Sequence, residues 1–202
     1  MTDWLALPPL PDGFRQGIAL LTYWLLLIWA LAIANLLTGQ RLWHHLGIQP
    51  RCLGGLPGIA IAPLLHQDFR HTAANSAPLL ILGSLILLQG LEVLGWVTAL
   101  CWLLSGLGIW MLGRRGTVHL GASGVVFGYL GYLLLYGYFD RSLPAMALSI
   151  FVGLVYGGAL WGLLPLQRGK SWVGHGAGFF AGAWAARDLD AIQTWWMQNS
   201  GF

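Results

Sequence analysis

Residues 72–113 read TAANSAPLLILGSLILLQGLEVLGWVTALCWLLSGLGIWMLG, and Glu92 is the only charged side chain among them. The stretch fits two membrane spans, because ~20 apolar residues cross a ~30 Å hydrocarbon core. Glu92 marks the turn, so spans at 72–90 and 93–112 are expected to form a helical hairpin. Charges are costly in hydrocarbon, so the other charge-free runs mark the remaining spans. They place helices at 18–37, 122–138, 145–164 and 172–187.

The composition agrees. Of 202 residues only 8% are charged, 57% are hydrophobic, and the mean hydropathy is +0.68. Soluble domains carry about 25% charged residues. A soluble enzyme, a disordered tail and a nucleic-acid module are therefore excluded. The net charge of +3 and the pI of about 9.1 reflect scarcity of charge, since no basic run exceeds Arg114-Arg115. Cys52 and Cys101 make neither a disulfide framework nor a CxxC motif. The first residues hold Asp3 and Asp12 and lack a basic start, so the first apolar run is expected to be a retained span rather than a secretory signal.

The expected fold is all-α: a polytopic membrane protein, one domain over 1–202, with six transmembrane helices. The run 52–67 is the exception among the charge-free stretches. Gly54, Gly55, Pro57, Gly58 and Pro63 break it, which suits an interfacial or re-entrant loop. The run 171–186 rises only ~24 Å at 1.5 Å per residue, short of a ~30 Å core. Its helix must extend past Arg187, sit in a thinned bilayer, or start below the surface. Trp195 and Trp196 suit an interfacial anchor.

Polar residues inside spans are functional candidates by default. Few qualify here: His71, Asn75, Ser123 and His175, with His66 and His119 at the edges. Ser123 follows Gly121-Ala122 and precedes Gly124. At a helix N-terminus it would have free backbone N–H groups beside it, able to hold a developing oxyanion. Helix capping or small-residue packing would explain the same motif. Position 125 is Val, so this is not the G-x-S-x-G elbow. His175, in Gly174-His175-Gly176, could be a general base to a serine on a facing helix, or a histidine bonded to a carbonyl in the bundle.

Glycine spacing connects the two. Gly121, Gly124, Gly128 and Gly131 are spaced 3, 4, 3, and Gly174, Gly178 and Gly182 are spaced 4, 4. Each set is expected to form a small-residue face, and the two faces to pack closely and bring Ser123 and His175 to one depth. Phe127, four residues after Ser123, would stack on the imidazole. His71 and Asn75, also at i and i+4, share a face and can both donate hydrogen bonds to an oxyanion; interhelical polar bonding is the plainer alternative. His66 is assigned to bonding loop carbonyls. No span interior carries a carboxylate, so Ser123 and His175 would work as a dyad. H-E-x-x-H is absent, as are the paired carboxylates of an aspartyl protease, and His44-His45 with His66 lacks metal-site spacing.

These residues resemble the rhomboid family of intramembrane serine proteases. The resemblance is carried by Leu65-His66-Gln67-Asp68-Phe69-Arg70-His71-Thr72-Ala73-Ala74-Asn75, by Gly121-Ala122-Ser123-Gly124 with Gly128, and by Ser171-Trp172-Val173-Gly174-His175-Gly176-Ala177-Gly178. It implies the bacterial six-span core, with a membrane-embedded first loop and span five as a substrate gate. It implies hydrolysis of peptide bonds in or near transmembrane segments of membrane-protein substrates. Ser123 would be the nucleophile and His175 the base, with His71, Asn75 and the Ser123 N–H as oxyanion donors. It implies the lipid bilayer as surroundings and no metal or organic cofactor. Proteolytically inactive relatives that bind transmembrane segments form the alternative, and a transporter or channel is a third class. The sequence lacks a Trp-Arg pair in the first loop and has Leu87 where relatives often carry glutamate.

Bacterial members of the family usually keep the N-terminus in the cytoplasm and perform catalysis near the outer face. The basic residues run against this. Arg15, Arg141 and Arg187 share the N-terminal side, whereas Arg41, Arg51, Arg70, Arg114, Arg115, Arg168 and Lys170 lie on the other. The positive-inside rule favours the reverse orientation.

Overall fold

A computed structural model of the chain describes residues 11–39, 42–166 and 171–200. Arg41, Arg168 and Lys170 lie outside the described residues, as does Asp3. The described residues are helical, with no strand among them beyond one isolated bridge between Ile48 and His119. The order is α1 Asp12–Leu37, α2 Leu42–Leu46, a 3-10 turn Leu53–Gly55, α3 Gly58–Ile61, a 3-10 turn Ala62–Leu64, α4 Phe69–Leu87, α5 Leu91–Leu112, α6 Ser123–Asp140, α7 Leu143–Tyr156, a 3-10 segment Gly157–Leu163, and α8 Trp172–Asn199.

Local chemistry explains several boundaries. Asp68 caps α4 by accepting from His71 N at 2.7 Å, and Ser142 caps α7 by accepting from Ala145 N. Gly90, at φ +124, closes the turn between α4 and α5. Fifth in the expected order of spans, 145–164 is α-helical only to Tyr156 and then tightens to 3-10 through Gly157 and Gly158. The last helix does extend past Arg187, which resolves its shortfall in length. The expected embedded loop is a chain of single helical turns rather than a span.

Among the described residues, three helical stretches are long and apolar enough to cross a membrane: Asp12–Leu37, Leu91–Leu112 and Leu143–Leu163. Helices α4 and α8 are less apolar, because α4 carries Arg70, His71 and Asn75, and α8 carries His175, Arg187, Asp188 and Asp190. Helix α6 sits in the middle, with α4, α5, α7 and α8 packed around it. Its Val125, Tyr129, Leu130 and Leu133 form the centre of the core with Leu79, Ile86, Val97 and Ala185. By contrast Leu20, Tyr23 and Leu26 of α1, and Leu143, Ile150 and Leu154 of α7, face outward. An exposed apolar surface of this extent suits hydrocarbon rather than water.

The α6–α8 contact is the closest in the bundle. A β-carbon on Gly178 would run into the carbonyl oxygen of Gly124, and one on Gly182 into that of Gly128. Gly131 meets the Phe179 carbonyl in the same way. Only backbones without side chains approach this closely. Gly121 is a correction: it precedes α6 and is not on this face. It sits at φ +109 beneath His71 instead.

Candidate active site

Ser123 is the first residue of α6, after Ala122 at the N-cap. Helix geometry leaves the first N–H groups without an intrahelical acceptor, so those beside Ser123 are available to a ligand. The close glycine contact sets α8 at the same level and brings His175 to the serine. Ser123 Oγ lies 3.0 Å from His175 Nε2. The other ring nitrogen, Nδ1, lies 2.9 Å from the Gly162 carbonyl oxygen. A carbonyl only accepts, so Nδ1 carries the proton and Nε2 is left as the acceptor for the serine hydroxyl. The Phe127 ring stacks on the imidazole at 4.1 Å and 8°.

On the opposite wall, α4 presents His71 and Asn75. A β-carbon on Gly121 would fall 2.7 Å from His71 Cε1, 2.9 Å from its Nε2 and 3.7 Å from Asn75 Nδ2. The glycine therefore lets the serine loop lie directly against both side chains. Its own N–H donates to the Ala62 carbonyl at 2.9 Å, and His119 pairs with Ile48 through both backbone groups, so the first loop supports the serine loop from below.

His66 does more than bond the loop backbone, which it meets at Leu64. Its Nε2 accepts from the Ala122 N–H at 3.4 Å and from Asn75 Nδ2 at 3.0 Å. An imidazole nitrogen facing a backbone N–H must be unprotonated, which fixes this ring as neutral and as an acceptor. Burial, reinforced by the neighbouring His71, pushes its pKa down to about 3. His66 thus ties the helix bearing Asn75 to the loop bearing Ser123. The second hydrogen of the Asn75 amide reaches the His71 carbonyl at 3.3 Å, the longer of its two bonds.

Ser123, His71, Asn75, Phe127 and His175 share the wall of one cavity of about 690 Å³. The cavity also takes in Pro78 and Leu82 of α4 and Tyr156, Gly158, Trp161 and Gly162 from the fifth stretch. Gly124 lines not this cavity but a smaller one with Ser123 and Ser105, and its missing side chain makes room for Ser105, whose Oγ would lie 2.7 Å from a β-carbon. Sequence reading missed Gly162, Ala62 and Ser105. The first two act through backbone carbonyls, which every residue possesses and no motif marks.

A family model described as the Rhomboid domain matches residues 54–189. The chain belongs to the rhomboid family. The matched stretch contains every residue of the site just described, from His66 to His175. The rhomboid chain is also 42% identical over 189 residues to an uncharacterized protein of Mycobacterium tuberculosis, which covers 90% of this chain and 78% of that relative. An uncharacterized protein of Mycobacterium bovis matches equally. One of Mycobacterium leprae is 38% identical over 183 residues, covering 87% of this rhomboid and 72% of the relative. The protein is an integral membrane protein of rhomboid type.

Proposed function

We propose that this protein is an intramembrane serine endopeptidase that cleaves membrane-protein substrates in or near their transmembrane segments. The observation that carries the reading is the 3.0 Å contact between Ser123 Oγ and the unprotonated Nε2 of His175. Ser123 Oγ adds to the scissile carbonyl carbon as Nε2 takes its proton. The oxyanion that forms is held by the Ser123 N–H, by His71 and by the amide hydrogen that Asn75 withdraws from the His71 carbonyl. The C–N bond then breaks, and His175 gives its proton to the leaving amine. Water, deprotonated by the same Nε2, adds to the acyl ester and frees Ser123. Among the described residues, the imidazole is oriented by the Gly162 carbonyl on one edge and by Phe127 on one face.

We read residues 1–202 as one domain with six spans, α1, α4, α5, α6, α7 with its 3-10 extension, and α8, in a bacterial inner membrane. The substrate is a transmembrane protein in the bilayer. A single-span model substrate reconstituted with the protein should be cut once. Ser123→Ala should abolish cutting while the thermal unfolding midpoint stays within a few degrees of wild type. Cleavage by that variant would overturn the reading.

A further inference from the structure

The reactive pair leaves the far nitrogen of His175 to be explained. Its Nδ1 is held 2.9 Å from the carbonyl of Gly162, which belongs to the 3-10 segment Gly157–Leu163. The approach requires glycine at that position. A β-carbon there would lie 2.6 Å from Phe127 Cζ and 3.6 Å from His175 Nδ1. The ring is thus fixed on its face by Phe127 and on its edge by a carbonyl from another element.

That element is weakly held. None of its residues is buried, and β-carbons on Gly157 and Gly158 would meet nothing within 4 Å. A glycine pair with open surroundings therefore joins the segment to α7. Gly158, Trp161 and Gly162 also line the cavity that holds Ser123.

We propose that Gly162 is a positioning residue whose carbonyl keeps His175 in the Nδ1–H tautomer, so that outward displacement of the 3-10 segment disarms Ser123. The proposal rests on Ser123 and His175 being the reactive pair. A neutral imidazole donates at one nitrogen and accepts at the other. With Nδ1 donating to Gly162, Nε2 accepts from the serine. Loss of that acceptor shifts the balance toward the Nε2–H tautomer, in which the ring cannot take the serine proton.

Two measurements on the full chain in lipid nanodiscs test this. With ¹⁵N-labelled histidine, and the His175 signal assigned by its loss in His175→Ala, the wild-type ring should be protonated at Nδ1; protonation at Nε2 overturns the proposal. Replacing Leu163 by its α-hydroxy acid turns the Gly162 carbonyl into an ester carbonyl, a poorer acceptor. The rate at which a fluorophosphonate probe labels Ser123 should then fall about three- to tenfold, the worth of one net hydrogen bond. The same replacement at Leu160 controls for an ester in the segment and should leave the rate within about twofold. Equal rates in the two ester proteins overturn the role of Gly162 while leaving the reactive pair intact. A wild-type protein that the probe does not label overturns the pair itself, and this inference with it.

Discussion

Ser123 Oγ and His175 Nε2 are 3.0 Å apart although 52 positions separate them in the chain. The contact depends on glycines rather than on the two residues themselves. Gly178 and Gly182 of α8 lie over the Gly124 and Gly128 carbonyls at a spacing that no β-carbon fits. Any side chain there would push α8 away from α6 and open the pair.

Gly178→Ala should therefore destabilise the protein by about 1–3 kcal/mol, the usual range for overpacking. It should also slow fluorophosphonate labelling of Ser123 more than Gly176→Ala does, since Gly176 has open space at its β-position. Labelling rates and unfolding midpoints measure both effects. Equal behaviour of the two variants would show that the close contact does not set the pair.

Phe127→Ala removes the ring that stacks on His175. Such contacts are worth about 0.5–1.5 kcal/mol, so kcat should fall roughly two- to tenfold. Phe127→Tyr keeps the ring and should retain most of the rate. A KM effect with kcat unchanged would mean that the ring serves substrate binding instead.

Acid should weaken the fold through His66. Burial depresses its folded pKa from 6.5 to about 3. The unfolded chain therefore takes up a proton that the folded chain refuses as the pH falls below about 6.5. The stability due to this group is present above that pH and is lost progressively toward pH 3. His119, also lowered by burial, adds in the same direction. Unfolding midpoints measured between pH 7 and pH 4 should drop less steeply in His66→Gln than in wild type, although that variant is less stable at pH 7. Parallel slopes would contradict the neutral, accepting role of His66.

The charge distribution leaves orientation to be measured. Arg51 donates to the Gly113 carbonyl at 2.8 Å, so at least one of the seven cations on the catalytic side serves the loop structure. With the site facing outward and six spans, a reporter fused after Phe202 should read as cytoplasmic. A translocated reporter would reverse the assignment.

Much of this was legible in the sequence because charge is scarce. The charge-free runs locate most helix ends to within a few residues, although α1 starts six residues earlier and α8 runs twelve residues further than expected, and the polar residues left inside them converge on one cavity. Ser123, His175 and Phe127 were readable because side-chain chemistry and i, i+4 spacing identify them. The change of α7 to 3-10 geometry after Tyr156 was not, since Gly157-Gly158 signals a break without saying of what kind. The partner of Nδ1 was hidden because the Gly162 acceptor is backbone. Two further partners of His66, Asn75 and the Ala122 N–H, were hidden for a related reason: which atoms a buried ring meets depends on how the loop at 62–68 folds against Ala122. Gly121 looked like the first of a helical series, whereas its positive φ serves the turn beneath His71.

The most direct test of the reactive pair is proteolysis of a single-span substrate in liposomes by wild type, Ser123→Ala and His175→Ala, with fluorophosphonate labelling followed in parallel. The account predicts cleavage and labelling in the wild type only, with all three proteins equally folded. Cleavage that persists in Ser123→Ala would contradict it, as would a folded wild-type protein that neither cleaves nor labels.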